Sequence, residues 1–324
     1  MHYPLFRLLS LIVGFLLDLL FGDPVWLPHP VRFMGDAIAK SELFLRRLFP
    51  ETRRGEFWGG VILAICIPGV SFGISFVFLY LCGLIHPILR FAVETFLCYQ
   101  IFACKSLKTE SMKVYEQVAK SDLTAAREAV GRIVGRDTAG LTMEGVIKAA
   151  VETVAENTSD GVIAPLFFMA AGGAPLGLLY KAINTMDSMV GYKNEKYISF
   201  GKASARLDDI ANFIPSRLAA LLMIVSAFLL GYDGKNAWRI FQRDRFNHTS
   251  PNSAQTESVC AGALNVQLAG NAFYFGKLYH KKTIGDALRP VEAQDIVRAN
   301  RLLYGTSLLA ALLCGGVILL AVLL

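Results

Sequence analysis

The 324-residue sequence lacks the short motifs that mark common nucleotide and metal sites. It has no GxxxxGKS/T phosphate loop, no GxGxxG turn after a strand and no HExxH helix, so any nucleotide or metal is held by another arrangement. The six cysteines, at 66, 82, 98, 104, 260 and 314, form no CxxC pair and lie mostly in apolar stretches. That argues against a disulfide framework or a structural zinc site and for small hydrophobic fillers. No internal repeat, low-complexity run or alternating apolar–polar pattern occurs, which leaves an all-α fold. The apolar N-terminal run lacks a strong basic leader and a small-residue cleavage site, and Gly22-Asp23-Pro24 follows it directly. It reads as a retained span, not a secretion signal.

What the chain does have is apolar length. Hydrophobic residues make up 54% of it, and the mean hydropathy of +0.46 is above that of soluble domains. A bilayer-spanning helix needs about 20 mostly apolar residues. Leu5 to Phe21, Phe57 to Cys82 and Leu302 to Leu324 come close to or exceed that length. Ile88 to Cys104 is interrupted by Arg90 and Glu94, Pro215 to Gly231 is about one turn short, and Gly161 to Leu179 is broken by Pro165, Pro175 and Gly172-Gly173. These three are further spans, re-entrant segments or buried core helices. The net charge of +6 is spread through loops beside spans, which fits the positive-inside bias better than nucleic-acid binding, and no nucleic-acid partner is expected. Arg32, Lys40, Arg46, Arg47, Arg53 and Arg54 place the 32–54 loop in the cytoplasm, and the 105–160 segment with it.

The expected organisation is a single polytopic integral membrane domain over 1–324, with amphipathic cytoplasmic helices inserted at 105–160, a second polar segment at 232–301 and re-entrant segments among the broken runs. Thr142 caps a predicted helix from Met143 to about Asn157, Tyr180 to Val190 resumes helical spacing, and Ser204 to Asn212 is polar and helical. A single crossing by Pro215–Gly231 would put 232–301 on the side opposite 105–210, yet Arg239, Arg243, Arg245, Lys277, Lys281 and Lys282 favour the cytoplasm there too. A re-entrant segment or a hairpin resolves the conflict.

Three constellations carry the chemistry. Glu152 and Glu156, four apart, share a helix face with Asn157 beside them, and Asp160 extends that face if the helix continues. Two like charges so placed call for a cation, a metal or an ammonium between them, the plain alternative being a solvated helix end. Lys181, Asn184, Asp187 and Ser188 form a polar stripe at i, i+3, i+6 and i+7, with a lysine suited to phosphate and oxygen ligands suited to Mg²⁺, or else an interfacial helix with a snorkelling lysine. Asp208, Asp209 and Asn212 make a hard-cation candidate flanked by Arg206 and Arg217 as anion clamps, or else a surface ion-pair network. Outside these, three prolines stiffen the loop around His29, and His248 near Ser250 does not by itself establish a nucleophilic pair.

Taken in order, Leu17-Asp18 through Gly22-Asp23-Pro24, Pro28-His29-Pro30-Val31-Arg32, Val134 to Thr138, Glu152 to Pro165, Tyr180 to Tyr192, Ala205 to Arg217 and Ser250-Pro251-Asn252 resemble the CbiB/CobD family of cobalamin-biosynthesis membrane proteins, the adenosylcobinamide-phosphate synthases. One departure stands out. After Ser253 the family usually continues Gly-Trp-Pro-Glu, whereas this chain has Ala254-Gln255-Thr256-Glu257. The resemblance implies a membrane ligase that uses ATP to join adenosylcobyric acid to (R)-1-aminopropan-2-ol or its O-phosphate. On that reading Asp187, Asp208, Asp209 and Asn212 hold Mg²⁺ with ATP, Lys181 and Arg206 stabilise the phosphoryl group, and Glu152 or Glu156 deprotonates the amine. His29, Arg32, Asn157, Asp160, Asn184, Ser188, Arg217, His248 and Asn252 are expected to contact substrate. The expected setting is the cell membrane with the site facing the cytoplasm, among membrane lipid and other membrane-bound enzymes of the late pathway. A Mg²⁺-dependent membrane transferase of prenyl or phosphatidyl type would want two separated acidic clusters. A non-enzymatic sensor or transporter would account for the intramembrane Glu94 but not for the polar stripes.

Overall fold

The computed structural model describes residues 3–24 and 26–323; Val25 of the His29 loop and Leu324, the end of the predicted last span, lie outside them. In chain order the helices are α1 (Tyr3–Phe21), α2 (Pro30–Leu48), α3 (Arg53–Ile85), α4 (Pro87–Ile101), α5 (Cys104–Ala119), α6 (Leu123–Gly131), α7 (Met143–Asn157), α8 (Ala164–Val190), α9 (Lys202–Ala211), α10 (Phe213–Leu229), α11 (Gly234–Asp244), α12 (Ser253–Leu264) and α13 (Gln294–Leu323). Four short strands, β1 (Leu268–Ala269), β2 (Ala272–Tyr274), β3 (Lys277–Tyr279) and β4 (Thr283–Ile284), lie between α12 and α13. Among the described residues four helical stretches are long and apolar enough to cross a membrane: Arg53–Ile85, Pro87–Ala119, Met143–Val190 and Gln294–Ala321. A fifth appears if α9 and α10 together count as one broken span. The protein is an all-α polytopic membrane protein. Its lipid-suited surface shows in exposed Leu9, Leu16 and Leu20 of α1 and Ile65, Ile74 and Phe76 of α3.

The chain forms two compact units, each made of separated segments: residues 1–103, 164–212 and 313–324 in one, 104–163 and 213–312 in the other. Both polar stretches, 105–160 and 232–301, fall in the second.

In the first unit the predicted break in α8 is real. Gly172 (φ −146°, ψ 22°) and Gly173 (φ 72°, ψ −168°) leave the helical region, so the carbonyls before them and the amides after them lose helical partners. Two charged side chains serve those ends with the signs that helix dipoles favour. Arg7 Nη1 donates to the Ala171 carbonyl at 2.9 Å. Glu94, 1% exposed, packs its carboxylate on Gly173 with the Ala174 amide directed at it. Arg90 lies one turn before Glu94 on α4, its Nε 4.0 Å from the carboxylate. Glu94, which in the sequence only a sensor or transporter reading accounted for, therefore has a structural task.

In the second unit, Thr142 caps α7 as expected, its hydroxyl accepting from Gly145 N at 3.1 Å. Beyond Asn157 the helix continues through a π-helical turn, Thr158–Ile163. α10 and α12 run parallel: Arg217 near the start of α10 bonds Asn252 before α12, while past the end of α10 Asp233 N donates to Ala263 O near the end of α12. α12 is buried along its whole length. The strands make two antiparallel pairs, β1 with β4 and β2 with β3, too short for any periodicity to have signalled them. The β2–β3 turn places Phe275 and Gly276 at φ 52° and 74°, and Asp137 holds it by accepting from both amides, at 3.2 and 2.7 Å.

Gly173→Ala tests the break. An added Cβ meets the Glu94 carboxylate, and the left-handed backbone disfavours any side chain, so a loss of about 1–3 kcal/mol is expected in thermal unfolding of the detergent-solubilised protein. Gly69→Ala in α3, where nothing lies within 4 Å, is the control and should leave stability equal or slightly higher.

Candidate functional site

The second unit gathers an acidic cluster. Glu152, 5% exposed, is held from two directions: Arg136 Nη2 donates to Oε2, and the Ala269 amide donates to Oε1 at 2.7 Å. Burial opposes the charge on Arg136, but the Glu152 carboxylate outweighs it and holds the guanidinium above its ordinary range. One turn along, Glu156 accepts from Ser253 Oγ at 2.7 Å. His248 faces Glu156, Glu152 and Lys281, and burial pushes its imidazole below the ordinary value, so it is neutral near pH 7. Its Nδ1 accepts from the Ser250 amide at 3.1 Å. Glu257, 4% exposed on α12, faces Glu156 and Glu152 as well, with Arg136 and Lys281 as its cations. Asn157 and Asp160 are half-buried at the end of α7 and in the π-helical turn, where Asn157 Nδ2 donates to Thr153 O at 3.0 Å.

Arg217 and Asn252 meet, but as a structural clamp. The Arg217 guanidinium donates to Phe213 O at 2.6 Å, Asn252 Oδ1 at 3.1 Å and Pro251 O at 3.3 Å, and lies over the Phe213 ring. Asn252 Oδ1 also accepts from Ser216 at 3.2 Å. Where the family motif carries tryptophan, Gln255 is buried and donates back to Pro251 O at 2.9 Å and Arg245 O at 3.1 Å. The 250–252 turn is thus held by hydrogen bonds.

The first unit carries the lysine stripe and the aspartate pair. Asn184 Nδ2 on α8 donates to Asp208 Oδ1 on α9 at 3.3 Å, which joins two of the three sequence constellations. Asp187 is one turn from Asn184 on the same face, and its carboxylate rests against Gly191, a position where any side chain would displace it. Ser188 is exposed and donates to Asn184 O at 3.0 Å. On α9 the buried face holds Asp208 and, just past the helix, Asn212; Asp209 is half-buried. Arg206 is exposed on roughly the opposite face from Asp208, so α9 itself does not bring the two together. His29 caps α2, accepting from Val31 N at 3.2 Å, with Nε2 3.4 Å from Asp23, while Arg32 is exposed. Among the described residues no three His, Cys, Asp or Glu side chains gather closely enough to hold a metal by themselves. Mg²⁺ does not need that: it is commonly held by one or two carboxylates and the phosphates of its nucleotide, and Asp187 and Asp208 fit such an open site.

The CobD/Cbib protein family matches residues 11–303. The chain belongs to that family. Among the relatives, a cobalamin biosynthesis protein CobD of Geobacter metallireducens is 51% identical, covering 93% of this chain and 94% of its own length. Proteins of the same description from Clostridium perfringens (45% identical; 93% and 95% covered) and Listeria monocytogenes (46%; 95% and 97%) are similar at that scale. No solved structure matches. Within the family framework, sequence reasoning overlooked Arg136, Ser253 and Glu257 as parts of the acidic cluster. For Arg136 a signal existed, since two glutamates a turn apart demand a cation and a charged turn lies just before their helix.

Removing one partner of a buried ion pair leaves the other uncompensated. Arg136→Met is expected to destabilise the solubilised protein by about 3–5 kcal/mol, and Arg136→Met with Glu152→Gln to regain much of that. Thermal unfolding of the two single variants and the double variant measures the coupling.

Proposed function

We propose that the chain is an ATP-dependent ligase of cobalamin biosynthesis, joining the free carboxylate of adenosylcobyric acid to (R)-1-aminopropan-2-ol or its O-phosphate to give adenosylcobinamide or its phosphate. The relatives' description as cobalamin biosynthesis proteins supports the pathway. The observation that carries the reaction class is the Glu152–Glu156 face, buried at Glu152 and half-buried at Glu156, which pairs acids with neutral His248 and leaves acidic capacity beyond what Arg136 balances. Such a face suits binding a substrate ammonium and taking its proton.

A carboxylate does not condense with an amine unaided, because its oxygen is a poor leaving group. Transfer of the terminal phosphoryl group of ATP to that oxygen releases ADP and makes an acyl phosphate. The deprotonated amine then attacks the acyl carbon, and phosphate departs as the amide forms. Mg²⁺, when bound, neutralises phosphate charge during the transfer. Asp187 and Asp208, with Asp209 and Asn212 beside them, are the residues assigned to hold it, Asn184 fixes the Asp208 carboxylate, and Lys181 is assigned to the phosphoryl oxygens, a role the opposite face of α9 does not give Arg206. Glu156, half-buried and oriented by Ser253, is the assigned base, and Glu152, locked by Arg136 and the Ala269 amide, supplies fixed negative charge. The reading puts 105–160 and 232–301 on the cytoplasmic side of the cell membrane, since Glu152 and Glu156 bond to residues of the later stretch. Other membrane-bound enzymes of the late pathway are the assigned neighbours.

Purified protein should consume ATP only when both the corrinoid acid and an aminoalcohol are supplied, with amide product equal to phosphate released. Asp208→Asn and Asp209→Asn should each raise the Mg²⁺ concentration needed for half-maximal turnover, and Gly191→Ala, which displaces Asp187, should raise KM for Mg-ATP more than it lowers kcat. ATP consumption without the amine, or an unchanged Mg²⁺ dependence in both aspartate variants, overturns the respective assignment.

A further inference from the structure

Glu257 is the one member of the acidic cluster whose carboxylate has no matched partner of its own. It sits on α12 one turn after Ser253, and that serine is the residue bonded to Glu156, so Glu257 shares the helix face that meets α7. Its Oε2 is buried with no hydrogen-bond partner. The groups around it are Glu152 and Glu156 on α7, Arg136 before that helix, Lys281 between β3 and β4, neutral His248, which faces the same two glutamates, and Cys260 on its own helix. Arg136 is engaged by Glu152, and Ser253 serves Glu156. Three carboxylates against two cations leave one net negative charge in a largely buried space, and an orphaned acceptor besides. A single small cation with several N–H donors would satisfy both.

We propose that Glu257 completes, with Glu152 and Glu156, a three-carboxyl seat for a primary ammonium, the amine of the aminoalcohol in the reaction assigned above. A primary ammonium carries three N–H donors on one compact charge, one for each carboxyl group. The chemistry also gives the seat a partner when no amine is present. Burial, reinforced by Glu156 and Glu152, pushes the Glu257 carboxyl well above the usual carboxylate range, so without an amine it holds its proton to higher pH than an ordinary carboxyl does. That proton supplies the same unit of positive charge that the ammonium brings. Binding is then an exchange: the ammonium enters, Glu257 ionises, and one proton leaves to solvent. Charge balances on both sides.

Proton–ligand exchange has a direct signature. Isothermal titration of the full-length, detergent-solubilised protein with (R)-1-aminopropan-2-ol, in buffers of different ionisation enthalpy across a pH series, should show proton release that approaches one per amine bound below the pH at which Glu257 ionises. The association constant should rise about tenfold per pH unit until pH reaches the pKa of Glu257 and level off beyond it. Glu257→Gln keeps the shape and an acceptor oxygen but not the proton; it should release none and flatten the pH dependence. Binding by wild-type protein with no proton release, or release that persists in Glu257→Gln, overturns the proposal, and the wild-type measurement decides even if the variant fails to fold. Amide formation is assayed separately. Turnover without proton-coupled amine binding removes the Glu257 seat and leaves the ligase reading intact, whereas proton-coupled binding without turnover does the reverse.

Discussion

Glu152 stands where the second unit is tied together. An ionised carboxylate with 5% of its surface exposed has lost most of its hydration, and such a charge persists only when donors replace the water. Its donors come from remote parts of the chain: Arg136 from the turn before α7, and the Ala269 amide from the β1 strand more than a hundred residues later. Asp137, next to Arg136, fixes the β2–β3 turn through two amides, so the same short turn anchors the strands twice. Ala269 adopts φ 59°, a backbone region that a residue with a Cβ accepts under tertiary constraint, and the bond to Glu152 is such a constraint. The strands are too short to be stable alone and are held by polar bonds to the α7 region.

The first unit obeys the same rule in its apolar setting. A helix that opens at two glycines exposes carbonyls and amides that hydrocarbon cannot satisfy. Arg7 and Glu94 meet them with complementary charge, cation at the carbonyl end and anion at the amide end. An intramembrane carboxylate is usually read as functional because its cost demands a return. Here the return is a kink, and the kink separates the apolar first half of α8 from the half that carries Lys181, Asn184 and Asp187.

Legibility in the sequence followed the physics of each signal. The cap of α7, the break in α8 and the polar helix before Pro215 were readable because each is local: a threonine before an apolar period, paired glycines, a change of polarity. The shared face of Glu152 and Glu156 was readable because four residues make about one turn of helix. What surrounds that face was not. Arg136, Ser253, Glu257 and the Ala269 amide reach it through tertiary packing, and one of them is a main-chain group that no residue type announces. Arg217 and His29 show the opposite effect. Their residue types suggested substrate contact, yet Arg217 clamps the turn before α12 and His29 caps α2. Polar residues near helix ends are recruited by unsatisfied backbone groups as readily as by ligands.

Among the described residues no metal cage is gathered, and that suits the charge that the proposed reaction handles. A structural site closes around its ion before substrate arrives, whereas a nucleotide brings phosphate oxygens that are themselves most of a Mg²⁺ shell. A site with three or more protein carboxylates would oppose those phosphates by like charge. Asp187 and Asp208 supply two, with Asn184 donating a neutral hydrogen bond to the second. The amine side of the reaction has the reverse requirement. There the incoming group is cationic, so a surplus of carboxylates lowers its energy, and Glu152, Glu156 and Glu257 are gathered where only Arg136 and Lys281 oppose them. Acids are thus sparse where phosphate is assigned and dense where ammonium is assigned, and the two halves of the reaction need opposite electrostatics.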